Sequence, residues 1–189
     1  VGRSERSYFG SSVVPFRLVF IMWLSFSVQF FYGYDLTFLG ILPRTFSGLL
    51  GVATAPMVHG DLAHLISNTV PLIFLGATLY FFYERIAGNV FFRCYFYTNL
   101  AVWALSPRVS YHIGASGLIY GLAFFLIFFG FWRRDFRSIM ISLVVLLTYG
   151  GIFYGLLPTD PRVSWESHLA GALVGMVAAF SFAHKKKVS

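Results

Sequence analysis

Six stretches of this chain, roughly residues 15–34, 62–82, 89–106, 116–132, 138–157 and 165–183, are mostly apolar over about the 20 residues a helix needs to cross a bilayer. A soluble domain of 189 residues could bury some of them, but with 58% of the residues hydrophobic and 11% charged it would lack polar residues for its surface. Phe alone occurs 23 times, and aromatic residues make up 20% of the chain, as suits lipid-facing surfaces and interfacial belts. The expected fold is therefore all-α: a polytopic bundle of six transmembrane helices. Residues 1–14 read as a cytoplasmic N-terminal segment, 15–184 as the helical domain and 185–189 as a basic tail. No small-residue cleavage pattern follows the first apolar stretch, so it reads as a retained span rather than a signal peptide.

The connection from Gly33 to Asp61 is too long for a tight turn. Its Gly40, Pro43, Gly48, Gly51 and Pro56 oppose a continuous helix, yet Leu49-Leu50 and Val52 to Met57 are largely apolar. A loop lying partly in the membrane or at its surface fits that mixture.

Basic residues set the orientation. Arg3, Arg6, Arg17, Arg85, Arg93, Arg133, Arg134, Arg137 and Lys185 to Lys187 fall on one side of six inserted spans; Arg44, Arg108 and Arg162 fall on the other. The positive-inside rule then puts both termini in the cytoplasm. The net charge of +7 comes in short clusters between apolar runs, not in a stripe with interleaved aromatics, which argues against nucleic-acid binding. A single cysteine, Cys94, precludes an intrachain disulfide and provides no metal cluster.

With that topology, spans two, four and six all begin at the non-cytoplasmic face. His64 and Asn68 lie near the start of span two, Ser116 at the start of span four and His168 near the start of span six. Ionisable groups in apolar spans are costly and tend to mark function. Gly114 and Gly117 around Ser116 permit a tight turn that exposes the hydroxyl, and a helix starting there aims free N–H groups at developing negative charge. The same run also suits plain close packing of helices. His168, Gly171 and Gly175 share one helix face; Gly117 and Gly121 form a matching small-residue stripe on span four. The histidine should therefore point at span four, where Tyr120, one turn after Ser116, is placed to stack on it. Alternatively His168 is a core histidine bonded to a neighbouring helix. His64 and Asn68, one turn apart, suit oxyanion donors better than a metal half-site, because Asn is a poor transition-metal ligand and no acidic or thiol cluster accompanies it. Asp61 is positioned to cap their helix, His59 to order the loop through a hydrogen bond, and His184 to lie on the cytoplasmic surface beside three lysines; His112 is open.

The set His64-x-x-x-Asn68, Gly114-x-Ser116-Gly117 and His168-x-x-Gly171-x-x-x-Gly175, in that order across six spans, resembles the rhomboid intramembrane serine proteases. Val163 to Gly171 looks like the family's last-helix signature, and His59-Gly60-Asp61-Leu62-Ala63-His64 is similar to its double histidine. Where many members carry a Trp-Arg pair in the first loop, Arg44 here follows Pro43. The resemblance extends from span one to span six and suggests the minimal six-helix bacterial form, in the inner membrane.

It implies a Ser116–His168 dyad that cleaves transmembrane segments of other proteins near the outer face. His64, Asn68 and the Ser116 backbone N–H would stabilise the oxyanion, and no metal or other cofactor is called for. No carboxylate lies deep enough to complete a triad, since Glu166 sits at the mouth of span six. Orientation of His168 would then fall to helix packing and Tyr120, and the first loop and span five would form a lateral route for the substrate. The principal alternative is an inactive relative that binds or escorts membrane helices. A small transporter would spread its polar residues along a path, and a structural subunit needs no reactive serine.

Overall fold

Helices account for every long element in the computed structural model, which describes residues 8–160 and 163–184. Arg3, Arg6, Arg162, Lys185, Lys186, Lys187 and the basic tail lie outside the described residues. The helices are α1 (Tyr8–Tyr32), the short α2 (Gly48–Thr54), α3 (Leu62–Phe82), α4 (Glu84–Leu105), α5 (Ser116–Arg133), α6 (Phe136–Tyr149) and α7 (Trp165–Ala183). A 3-10 stretch, Gly150–Leu156, continues α6 and completes the fifth predicted span. Local chemistry fixes several starts. The Asp61 carboxylate accepts the His64 N–H at 2.8 Å, the Asp135 carboxylate accepts the Ser138 N–H at 3.0 Å, and the Ser164 hydroxyl caps α7.

Two ends of the bundle can be told apart by contact. Arg137 of α6 donates to the Phe82 carbonyl and lies over the Tyr83 ring, so the α3–α4 and α5–α6 turns share one end, rich in arginine. At the other end the first loop, the 106–115 loop and the start of α7 meet: Ile41 and His112 form an isolated antiparallel bridge, and Arg108 pairs with Glu166 at 3.2 Å. α1 runs antiparallel to α3, with Pro15 against Gly76 near the arginine end and Gln29 donating to the His59 carbonyl at the opposite one.

Five of the six predicted spans are long and apolar enough to cross a membrane: Val13–Tyr32, Leu62–Phe82, Ser116–Arg133, Phe136–Leu156 and Trp165–Ala183. The third, α4, traverses the bundle from the arginine end to the loop end but is more polar than the sequence reading of 89–106 allowed, starting earlier at Glu84 and carrying Arg85 and Arg93. Its polar side chains have partners. Asn99 donates to the Val52 carbonyl at 3.0 Å, Tyr95 to Ala53 and Trp103 to the Thr45 carbonyl at 2.9 Å, so α4 is the post to which the first loop is tied. Arg44 is itself tied to α4: its N–H donates to the Trp103 carbonyl, and its guanidinium to the Ser106 carbonyl.

α5 is the buried centre, wedged between α7, α6, α4 and α3. Its closest seam is with α7. A Cβ on Gly171 would collide with the Gly117 carbonyl oxygen, and one on Gly175 with the Gly121 carbonyl oxygen. Only glycines let these backbones come so near. Gly121 also receives buried Cys94 of α4, whose Cβ would lie 2.9 Å from a Cβ at that position.

Candidate active site

The glycine seam between α5 and α7 brings the first turn of each helix together at the loop end. Ser116 is the first residue of α5, and His168 lies in the first turn of α7. The Ser116 Oγ and His168 Nε2 are 2.9 Å apart. On the far side of the ring, Nδ1 is 2.9 Å from the Gly155 carbonyl oxygen in the 3-10 stretch. A carbonyl only accepts, so Nδ1 carries the proton and the Nε2 lone pair faces the serine hydroxyl, which donates to it. The Tyr120 ring lies parallel to the imidazole at 7° with centroids 4.0 Å apart, as the one-turn spacing from Ser116 predicts.

Gly155 was not singled out by sequence, since its contribution is a backbone oxygen. Its one sequence signal is the cluster of Gly150, Gly151 and Gly155 after an apolar run. The space beside it is fully taken, for a Cβ there would meet the Tyr120 hydroxyl and lie 3.2 Å from His168 Nδ1. Gly155 is therefore the place where the histidine's acceptor and its stacking partner converge.

Gly114 adopts φ +97°, a left-handed conformation that favours glycine, and its N–H donates to the Ala55 carbonyl at 2.9 Å. His64 fills the space a side chain would occupy, with Nε2 2.6 Å from the position of a Cβ at 114. The imidazole of α3 is thus held against the turn that delivers Ser116. Asn68, one turn on, is buried and donates to the His64 carbonyl at 2.8 Å. An amide nitrogen carries two hydrogens, so one N–H is still free. The Ser116 N–H, at the start of α5, has no partner within its helix.

His59 departs from expectation. It is 1% exposed, yet neither ring nitrogen makes a well-formed hydrogen bond. The ring stands edge-on to His64 at 4.9 Å, and the loop is ordered instead through the His59 backbone carbonyl, bound by Gln29. Burial, reinforced by repulsion from His64, pushes the His59 pKa down to about 3, so the ring is neutral at physiological pH. Glu166 lies in the first turn of α7, paired with Arg108 and not with His168. His112, left open by sequence, is buried and bonded on both ring nitrogens.

Ser116, His168, Tyr120, His64 and Asn68 all line one cavity of about 870 Å³, walled by the starts of α3, α5 and α7 and by the 3-10 stretch. Its lining also includes the polar side chains of Asp61, Arg108, Ser110 and Asp160, at the loop end. No group of three or more His, Cys, Asp or Glu side chains with metal-binding geometry occurs among the described residues.

The family model for the Rhomboid domain matches residues 47–185. A protein of Mycobacterium tuberculosis and one of Mycobacterium bovis, each described as "Uncharacterized protein", are 38% identical to this chain over 157 residues, covering 75% of it and 62% of their own length. A third so described, from Mycobacterium leprae, is 38% identical over 146 residues, covering 70% of the chain and 55% of its own length. The chain spans less than two thirds of the length of these relatives.

Proposed function

The chain belongs to the rhomboid family of integral membrane proteins, and from that premise we propose that it is an intramembrane serine endopeptidase working through a Ser116–His168 dyad. The observation that carries the reading is the line Ser116 Oγ, His168 Nε2, His168 Nδ1, Gly155 carbonyl, in which each contact is 2.9 Å and the tautomer is the one a general base needs.

Ser116 Oγ attacks the scissile carbonyl as Nε2 takes its proton. The imidazolium so formed shares its Nδ1 proton with the Gly155 carbonyl and lies against the Tyr120 ring, whose face is electron-rich. These two uncharged partners occupy the role a carboxylate fills in a triad. Nε2 returns the proton to the leaving amine, and water from the cavity repeats the sequence on the acyl-enzyme. The oxyanion is received by the Ser116 N–H, the free N–H of Asn68 and the His64 ring; removal of one such donor costs about 10²–10³ in rate.

The substrate is a transmembrane segment of another protein. A helix-bonded peptide offers no accessible carbonyl, so helix-weakening and small residues at the cleaved bond favour turnover. With arginines concentrated at the opposite end, the cavity opens on the non-cytoplasmic side and both termini lie in the cytoplasm, in a bacterial inner membrane. α6 packs on α5, is largely exposed and meets α3 through the Phe74–Tyr149 ring pair at 5.5 Å, which supports substrate access between α3 and α6.

A fluorophosphonate probe tests the reading in detergent-solubilised protein. Wild type is expected to label, whereas Ser116→Ala abolishes labelling and His168→Ala lowers its rate by about 10³-fold or more. Absence of labelling in correctly folded wild type would leave the inactive, helix-binding alternative standing.

A further inference from the structure

One buried imidazole outside the dyad ties together the segments that carry its two halves. The backbone of His112 pairs with Ile41 in both directions, His112 N–H to Ile41 carbonyl and Ile41 N–H to His112 carbonyl, each at 2.9 Å, which anchors it to the first loop. Its Nε2 is 3.0 Å from the hydroxyl of Ser106, the residue that ends α4. Its Nδ1 is 2.6 Å from the hydroxyl of Ser164, the residue that caps α7. The Ser164 carbonyl in turn accepts the His168 N–H at 3.2 Å. On the other side, the chain runs from His112 through Ile113 and the left-handed Gly114 to Ser116. The nucleophile and the base thus reach back, each over four residues, to the same hydrogen bond.

The hydroxyl of Ser164 has no spare capacity. It accepts the Ser167 N–H at 3.4 Å and touches the Ser167 hydroxyl at 2.7 Å, so His112 occupies its remaining valence. Removing His112 takes a partner from that half-buried hydroxyl, and frees the 106–115 loop to shift against α7. Displacements of about 1 Å between reacting groups cost up to about 10²-fold in rate.

We propose that His112 is a positioning residue for the reaction: its Nδ1–Ser164 bond sets the register between the Ser116 turn and the His168 helix. The inference rests on the serine-hydrolase reading above and adds to it a side chain whose ring bonds Ser106 and Ser164 and neither member of the dyad.

The two ring nitrogens can be tested apart. An Asn side chain at 112 places an amide group near the position of Nδ1 and keeps the Ser164 link, whereas Gln reaches the position of Nε2 and keeps the Ser106 link. Full-length protein in detergent is reacted with a fluorophosphonate at several concentrations, giving the maximal labelling rate and the half-saturating concentration separately. His112→Ala, His112→Gln and Ser164→Ala are expected to lower the maximal rate by about 10-fold or more, with the half-saturating concentration within about twofold of wild type. His112→Asn stays within about threefold of wild type, and His112→Ala combined with Ser164→Ala falls by less than the product of the two single losses, because the link they share can be lost only once. An unchanged rate in His112→Ala, equal rates for Asn and Gln, or additive losses would each overturn the proposal. If His112→Ala does not fold, the Asn–Gln pair decides. Wild type that fails to label defeats the protease reading and this one with it, whereas wild type that labels beside an unaffected His112→Ala defeats this one alone.

Discussion

The seam between α5 and α7 and the seam between α6 and α3 flank the same cavity and are built on opposite principles. In the first, glycines bring backbone against backbone, with Gly117 and Gly121 facing Gly171 and Gly175. In the second, large side chains hold the helices apart, and Phe74 touches Tyr149 across the gap. Packing of backbone on backbone leaves no rotamers to adjust, so the distance between Ser116 and His168 is set rigidly. A contact made of ring faces opens by side-chain rotation at little cost. On the proposed reading, a site that must hold a dyad to a fraction of an ångström while admitting a helix from the side has use for both.

The largest effect is expected from breaking the tight seam. Gly171→Ala places a methyl group on the Gly117 carbonyl, which no rotamer can relieve. Thermal unfolding in detergent should show destabilisation of at least about 1–3 kcal/mol, with near-complete loss of fluorophosphonate labelling. Gly88→Ala in α4 is the control: nothing lies within 4 Å of its Cβ, and the change should be neutral or stabilise by about 0.5–1 kcal/mol. Equal tolerance at both positions would mean that α5 and α7 are not locked as described.

The rigid seam was legible in the sequence and the pliant one much less so. Gly117, Gly121, Gly171 and Gly175 recur at helical spacing, and Ser116 and His168 are polar residues in apolar runs at the same depth, so pattern alone pairs them. Tyr120 follows from the same period. Gly155 does not, since every residue has a carbonyl and its direction depends on how a 3-10 stretch folds. α4 illustrates the same limit: the sequence does not single out Tyr95, Asn99 or Trp103, because the loop carbonyls they bind lie more than 40 residues away in the chain. His59 orders the loop through its backbone carbonyl, which Gln29 binds, and not through a well-formed ring bond; a side-chain type indicates capacity, and only the fold supplies the partner.

Gly155 sharpens the comparison because it lies on the continuation of pliant α6 yet hands its carbonyl to the rigid site. Gly155→Ala forces the Tyr120 ring off the imidazole or the carbonyl away from Nδ1. Either outcome loosens the histidine without touching the α5–α7 seam. The labelling rate should fall by about 10–100-fold while thermal stability changes far less than in Gly171→Ala. A stability loss as large as that of Gly171→Ala, at unchanged labelling rate, would show that the 3-10 stretch belongs structurally to the rigid half.

The smallest effect is expected at the pliant seam itself. Phe74 is more than one third exposed, and its ring meets Tyr149 at 44° and 5.5 Å, a contact worth about 0.5–1.5 kcal/mol. If that contact must open before a transmembrane segment can reach Ser116, Phe74→Ala should raise cleavage of a membrane-embedded substrate by up to about 2–10-fold, the rate equivalent of that energy. Labelling by a small fluorophosphonate, which enters from the polar loop end, should not change. The two substrates separate access from chemistry, and a pair of cysteines bridging α3 to α6 should reverse the pattern by blocking the embedded substrate alone. Equal acceleration of both would place the effect of Phe74 on the dyad, and undiminished cleavage in the bridged protein would move the access route away from this seam.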